Sequence, residues 1–382
     1  MFDDYADLAQ RALRDEAPST ERAGWILEGG GAQLLPLLQA AFEPRRRHFG
    51  RKVMVHILNN VQNGLCPEDC GYCSQNRDSR APIRSYSIKS DAEILREALR
   101  AAEAGASRYC MVLSGRGPTL RRVERMAALI RRIKSELPIE LCLSVGLLDE
   151  EQTRLLADAG LDRVNHNLNT SERHYPNVCS THTYADRMAT LRAAKRCGLG
   201  TCSGLIVGMG ERDEDLVEVA FTLRELEVPS IPVNFLIPIE GNQIQSDGSL
   251  TPERCLRVLC LMRLVNPRAE IRVAAGREGH LRSMQALALY PANSLFVDGY
   301  LTTRGDAAQA TYRMIEDAGF EVEGNALYHA KRAAAAAEAG AAEPANGVEQ
   351  ATPARGPTRS HGGQFQIPAG GDELLKPELL RR

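Results

Sequence analysis

The sequence predicts a closed (β/α)8 barrel of the TIM type, and three observations predict it. From residue 53 onward, short β-rich runs alternate with amphipathic helical stretches, the pattern of repeated βα units on a parallel sheet. Eight such units can be marked out, which favours closure over an open doubly wound sheet. A chain of 382 residues also accommodates one barrel of about 250 residues with appendages at both ends.

Residues 1–45 read as a helical extension, with Tyr5, Leu8 and Ala12 and then Leu34, Leu35, Leu37 and Leu38 set between polar turns; such a segment serves as a cap or a dimer contact. The barrel occupies 46–323. Its strands are expected at 53–58, 108–113, 139–145, 163–168, 200–207, 231–236, 270–274 and 294–297. Helices are expected at 91–104, 119–135, 149–158, 183–197, 213–226, 251–265, 280–289 and 306–317. Residues 324–382 begin with an alanine tract and continue in Pro, Gly, Gln and Ser with few aromatics, which predicts a low-complexity, disordered tail with at most a local helix over 333–342.

A hydrophobic share of 43% supports a large core, while a net charge of −2 offers no electrostatic case for nucleic acid or anionic lipid. Arg45-Arg46-Arg47 and Arg131-Arg132 read as solvated faces. Ten cysteines without a secretory signal or an 18-residue apolar run imply a reducing compartment, the cytoplasm, and metal binding rather than disulfides.

The chemistry starts at Cys66-Pro67-Glu68-Asp69-Cys70-Gly71-Tyr72-Cys73. Three cysteines on one loop can hold three corners of a 4Fe-4S cube, and the lack of a local fourth leaves one iron open to a small molecule. Zinc sites built on CxxC need a second pair to close a tetrahedron, and none follows here. Gly71 lets the loop fold tightly and Tyr72 supplies an aromatic edge. In a barrel, function comes from strand ends and the loops after them. The second, third and fifth strands offer Cys110, Cys142 and Cys202, the seventh Arg272, the fourth ends in Asn165-His166-Asn167, and the sixth carries Asn234. Each of these cysteines alone is a small core residue; only their joint placement with the cluster loop suggests a second thiolate site. A buried arginine such as Arg272 implies, by itself, an ion pair with a barrel carboxylate, and Asn167 and Asn234 imply capped strand ends or satisfied loop backbone. His166 reads as a packed or hydrogen-bonded core histidine rather than a ligand, and Cys197, Cys255 and Cys260 as helix packing, with Cys179 on a loop.

At these residues the chain resembles the biotin synthase family of radical S-adenosylmethionine (SAM) enzymes over about residues 50–320. The resemblance is carried by the cluster loop, by Asn165-His166-Asn167-Leu168-Asn169-Thr170, by the run from Thr201 to Glu211, and by Arg272-Val273-Ala274-Ala275-Gly276-Arg277-Glu278. It implies that Cys66, Cys70 and Cys73 bind a 4Fe-4S cluster whose open iron takes SAM, and that Cys110, Cys142, Cys202 and Arg272 hold an auxiliary 2Fe-2S cluster. It further implies that Tyr72, Asn169, Arg187 and Gly208 contact SAM. Arg187 would face its carboxylate, Asn169 its ribose, and Gly208, in the glycine-containing run, would let adenine approach the backbone; residues 111–118 would meet its amino group. Asn167 and Asn234 would bind dethiobiotin. One-electron cleavage of SAM would give a 5'-deoxyadenosyl radical that removes hydrogen from dethiobiotin, with sulfur then supplied by the auxiliary cluster.

The expected partners are dethiobiotin, a flavodoxin- or ferredoxin-type electron donor, iron-sulfur assembly proteins and a second copy of the chain, without nucleic acid or membrane. Two other readings remain open on the cluster loop alone: a different radical SAM barrel that rearranges amino acids or builds a metal cofactor, and an iron-sulfur electron carrier. The first would not need the set Cys110, Cys142, Cys202, Arg272, Asn167 and Asn234; the second would not need a substrate cavity.

Overall fold

The structure is a computed structural model and describes residues 2–246, 248–300, 305 and 308–341. Three helices open the chain, α1 (Phe2–Leu13), α2 (Thr20–Leu27) and α3 (Leu34–Phe49). Strands and helices then alternate: β1 (Lys52–Gln62), α4 (Asp91–Glu103), β2 (Arg108–Leu113), α5 (Leu120–Glu136), β3 (Glu140–Ser144), α6 (Glu150–Asp158), β4 (Arg163–Asn165), α7 (Tyr184–Arg196) and β5 (Gly200–Cys202). The series continues with β6 (Leu205–Val207), α8 (Asp213–Glu225), β7 (Ser230–Phe235), α9 (Pro252–Val265), β8 (Glu270–Val273), α10 (Arg277–Leu281), β9 (Ser294–Val297), α11 (Ala308–Asp317), β10 (Glu321–Val322) and α12 (Ala326–Ala341).

All pairings between these strands are parallel, in the order β1-β2-β3-β4-β5-β7-β8-β9, and β9 pairs back with β1 so that the barrel closes. β6 carries on along β7 where β5 leaves off, so the eight expected strands are present with one in two pieces. The predicted strand 200–207 breaks at Ser203 and Gly204, opposite Pro232, which has no N–H to donate to the ladder; a Cβ on Gly204 would lie 1.9 Å from the Pro232 carbonyl oxygen, so the two backbones meet closely there. The strand expected at 163–168 ends at Asn165; beyond it, single bonds replace the ladder, His166 N donating to Cys202 O (2.9 Å) and Asn169 N to Gly204 O (3.0 Å). Asn169 sits at φ +71°, a left-handed conformation that asparagine tolerates better than most residues. The helix expected at 280–289 is a short α10 followed by a 3-10 stretch, Arg282–Leu289, the backbone turning left-handed at Arg282 (φ +51°).

Alternation along the strands sorts the side chains. Tyr109, Met111, Leu141, Leu143 and Val164 pack with α4 and α5 residues such as Ile94, Val123 and Ile130 in one apolar cluster, while Cys110, Cys142 and Cys202 cluster on the other side with Ala274 and Phe296. Helix starts are marked by side-chain caps: Ser90 and Glu93, Asp149 and Gln152, and Thr183 and Asp186 each exchange bonds with the first turn of α4, α6 and α7.

The N-terminal helices run past the expected boundary at 45 and pack on α9, with α2 also touching α8. Tyr5, Leu8, Ala12, Leu37 and Leu38 are buried within the chain itself, leaving Leu35 exposed, so the apolar face read as a cap or dimer contact is largely used by the barrel's own flank. At the other end α12 starts inside the segment expected to be disordered: Asn325 Nδ2 donates to the carbonyls of Ala102 (2.8 Å) and Ala106 (3.0 Å), and Tyr328 is buried beside Gly105. The compact unit ends at Ala336; the tail reading for 342–382 lies outside the described residues, as does the expected start of the helix at 306. Among the described residues no helix is long and apolar enough to cross a membrane.

Candidate active site

The cluster loop follows β1 and is pinned from three sides. Cys66 N donates to Gln75 O (3.3 Å) and Cys73 N to Cys70 O (2.9 Å), which folds the loop on itself. Asn76 Nδ2 ties Cys70 O (2.7 Å) while its Oδ1 accepts from the amides of Asp78 and Ser79 (2.7 Å each). Gly71 N donates to Val178 O (2.9 Å) and Gly71 O accepts from Ile244 N (3.0 Å), and a Cβ at position 71 would meet Ile244 Cγ1 at 2.9 Å. Glycine suits close packing against the Ile244 side chain there, and its φ is not positive.

A cavity of about 330 Å³ runs from this loop into the barrel. Cys66, Tyr72 and Cys73 line it on the loop side; Cys110, Cys142 and Arg272 line it from the strands, with Asn165, His166, Asn167, Asn169, Arg187 and Asn234 on its walls. Leu58, Ile206, Leu236, Phe296 and Tyr300 supply apolar surface, and residues 111–115, from the end of β2 into the loop after it, within the stretch expected near the SAM amino group, also contribute. Gly208 is not among the lining residues: its φ of +99° and a contact of 2.7 Å between a would-be Cβ and Leu250 account for glycine, and its N–H is held by Glu211 Oε1 (2.7 Å). Cys202 lies behind the lining, fully buried in one cluster with Cys110 and Cys142.

The donor sets fit two metal groups differently. Burial pushes the Cys66 thiol up and that of Cys73 up to about 11; a hydrogen bond to Cys179 and burial raise Cys70 as well. Unmetallated, these are protonated thiols, and a cube that takes them as thiolates must displace their protons. Cys70 Sγ lies 3.6 Å from Cys179 Sγ, which in turn is 3.3 Å from His182 Nδ1. Deeper in, Cys110, Cys142 and Cys202 are buried side by side; the neighbouring Cys110 and Cys202 sulfurs, with burial, push the Cys142 thiol well up, while Cys142 draws Cys110 and Cys202 down against burial, with Arg272 and Arg108 adding to the effect. Arg272 Nη1 reaches Cys202 Sγ at 3.6 Å, and its Nε has no hydrogen-bond partner though buried. Three converging thiols and an unspent guanidine nitrogen match the expected auxiliary set. The ion pair that chemistry alone assigns to Arg272 is there too, with Glu270 (2.5 Å).

Arg187 is buried and held at three points: Nε on Tyr175 OH (2.6 Å), Nη1 on Asn167 O (2.7 Å) and Nη2 on His182 Nε2 (2.8 Å). Because His182 Nε2 accepts, its Nδ1 donates to Glu68, inside the cluster motif. Burial opposes ionisation of Glu68, but hydrogen bonds from Thr181 and His182 hold the carboxyl below its ordinary range. This Glu68–His182–Arg187 chain was not legible in the sequence beyond the Glu inside the motif. Asn169 Nδ2 donates to Tyr72 OH (2.9 Å), joining two residues expected at SAM. Asn234 spends one amide hydrogen on Leu205 O (3.0 Å) and accepts from Ala275 N (3.2 Å), as a strand-end asparagine does, and still faces the cavity. Asn167 Oδ1 accepts from Asn165 Nδ2 (3.3 Å). His166 is buried, as the core reading expects, and also lines the cavity with Nε2 unpartnered; burial followed by Arg187 keeps its ring neutral. Cys255 and Cys260 are buried in α9 as expected, whereas Cys197, at the end of α7, is only half-buried.

Residues 62–223 match the radical SAM superfamily, and residues 232–321 match the biotin and thiamin synthesis associated domain. The fold is shared with solved structures at low identity: methylornithine synthase (TM-score 0.72, 19% identical, covering 85% of this chain and 99% of that one) and an FeFe-hydrogenase maturase from Carboxydothermus hydrogenoformans (0.72, 17%, covering 85% and 81%). Sequence similarity is much higher to the biotin synthases of Acaryochloris marina (60% identical, covering 78% of this chain and 86% of that one) and Magnetococcus marinus (56%, covering 83% and 98%). The biotin synthase of Streptomyces coelicolor is 49% identical, covering 83% of this chain and 78% of its own. With a radical SAM barrel, a cysteine triplet at its mouth and this degree of identity along most of its length, the chain belongs to the biotin synthase family of radical SAM enzymes.

Proposed function

We propose that the chain converts dethiobiotin to biotin by SAM-dependent sulfur insertion, with the 4Fe-4S cluster on Cys66, Cys70 and Cys73 and an auxiliary 2Fe-2S cluster on Cys110, Cys142, Cys202 and Arg272. One observation carries this: a single cavity is lined both by the cluster-loop cysteines Cys66 and Cys73 and by Cys110, Cys142 and Arg272, with Asn167 and Asn234 also on its walls. An electron carrier has no need of such a chamber, and a different radical SAM barrel has no need of the inner set.

When bound, the clusters and SAM supply reductive radical generation and sulfide; the protein supplies binding, orientation and exclusion of water. Arg187 has five N–H groups and spends three, so two remain for the SAM carboxylate. Tyr72, kept a neutral phenol by burial, and Asn169 form a joined polar edge for the ribose. Asn167 and Asn234 retain amide donor and acceptor capacity that matches a ureido ring. Leu58, Ile206, Leu236 and Phe296 line the chamber with hydrocarbon, which suits an aliphatic substrate and keeps water from a radical that would react with it. The same reading takes one electron at a time from a flavodoxin- or ferredoxin-type donor, relies on iron-sulfur assembly proteins, and places a homodimer in the cytoplasm.

The test is anaerobic reconstitution with iron and sulfide, then SAM, reductant and dethiobiotin, with 5'-deoxyadenosine and biotin both measured. Cys66→Ala should abolish both products. Cys142→Ala should spare 5'-deoxyadenosine and stop biotin; unchanged biotin from that variant would remove the inner cysteines from the reaction.

A further inference from the structure

Beneath the thiols, on the strands' inner face, lies a carboxylate with no role in the chemistry above. Glu270 sits two residues before Arg272 on β8, so their side chains share a face of the strand. It is 4% exposed and takes four bonds. Oε1 accepts from Arg272 Nη2 (2.5 Å) and Ser294 Oγ (2.7 Å) and faces His56 Nε2 (2.8 Å); Oε2 accepts from Arg108 Nη1 (3.0 Å). Arg108 turns its other edge to Glu140 Oε2 (2.8 and 3.0 Å). Three strands besides β8 therefore converge on one side chain: β1 through His56, β2 through Arg108 and β9 through Ser294.

The consequence falls on Arg272. Its Nη2 is gripped by Glu270 and Ser230 Oγ (2.8 Å), which turns Nη1 to Cys202 and leaves Nε unspent. An arginine side chain has many rotamers; at the thiol end the Phe296 ring lies under the guanidinium (5.1 Å to the ring centre) but offers no directional bond, so the hydrogen bonds to Glu270 and Ser230 set which nitrogen faces the thiols. Two buried guanidiniums, Arg108 and Arg272, also share this single buried carboxylate beside three thiols. Groups behind a metal ligand orient it and tune the metal's electronics, commonly with effects of about 10- to 100-fold on affinity.

We propose that Glu270 is a positioning residue for the auxiliary cluster: it aims Arg272 at the site of Cys110, Cys142 and Cys202, and its charge sets the electrostatic field there. The proposal deepens the assignment of an auxiliary cluster to those residues and rests on it.

The experiment reconstitutes the full chain anaerobically as wild type, Glu270→Gln, Glu270→Asp and Cys142→Ala. Iron per chain, Mössbauer spectra and the reduction potential of each cluster are read alongside 5'-deoxyadenosine. Glu270→Gln keeps the shape and deletes the charge; the auxiliary potential should move positive, because a lost negative charge favours the added electron, while the 4Fe-4S signal stays as in wild type. Glu270→Asp keeps the charge and draws the carboxylate back by one methylene; auxiliary loading should fall by about tenfold or more. A wild-type auxiliary potential in Glu270→Gln, or wild-type auxiliary loading in Glu270→Asp, overturns the proposal. If Glu270→Gln does not fold, Glu270→Asp decides alone. A failure of the underlying assignment looks different: wild type would then hold one kind of cluster only, or Cys142→Ala would load both.

Discussion

Arg187 shows how much of this site depends on one side chain. Its aliphatic stem is buried and its guanidinium crosses the Tyr175 ring at 5.6 Å, so the group is fixed by packing as well as by three hydrogen bonds. Replacing it with methionine keeps the volume and removes the cation that the SAM carboxylate would meet. A charge-assisted contact of this kind contributes about 1.5–3 kcal/mol, so Arg187→Met should weaken SAM binding roughly ten- to hundredfold. Equilibrium binding of SAM to the anaerobically reconstituted chain measures this directly, and an unchanged affinity would move the carboxylate site elsewhere. The sequence named Arg187 only through the resemblance. Nothing in its helical neighbours says that Tyr175, Asn167 and His182 would hold it, because those partners come from separate turns of a folded loop.

At the scale of elements, the break between β5 and β6 is the feature that periodicity missed. Residues 200–207 read as one strand, and the ladder is interrupted where Gly204 faces Pro232, a residue without an N–H to donate. The break also makes room for the Asn165–Asn169 stretch, whose backbone pairs with the gap through His166 and Asn169. Gly204→Ala should therefore be costly although the residue is small, since the neighbour that a methyl would strike is backbone rather than a movable side-chain tip. Overpacking of this kind costs typically 1–3 kcal/mol. The urea midpoint of Gly204→Ala should drop accordingly, and 5'-deoxyadenosine formation should fall with it because Asn167 and Asn169 would shift. A midpoint equal to wild type would mean that the strands can part without loss.

Over the whole molecule, burying charge inside the barrel couples stability to pH. His56 is fully buried, and burial, joined by the nearby Arg272 and only partly offset by Glu270, brings its pKa down to about 3 from 6.5. Below pH 6.5 the unfolded chain takes up a proton that the folded one refuses, so stability present at neutral pH is lost as pH falls through the interval down to about 3. The slope approaches about 1.4 kcal/mol per pH unit for one such group. Glu270, held well below its usual range with burial opposing and Arg272, His56 and Arg108 favouring the charge, adds a loss at the acid end of that window. Urea midpoints between pH 7 and 5 should decline in wild type and decline less in His56→Asn; parallel lines would show that His56 charges freely in the fold.

The sequence by itself determined the repeating βα units, the spacing of the cysteine triplet, and the family, because these rest on local periodicity, fixed spacing and identity along the chain. The tertiary structure alone decided that Glu270, His56, Arg108 and Ser294 meet beneath Arg272, that Glu68 reaches Arg187 through His182, and that Gly208 backs onto Leu250 rather than the cavity. Barrel closure brings β9 against β1 and sets residues more than two hundred positions apart within hydrogen-bond distance, as with His56 and Glu270. Alternation says which side of its strand a residue takes. The register and tilt that close the barrel decide which residues face one another across it.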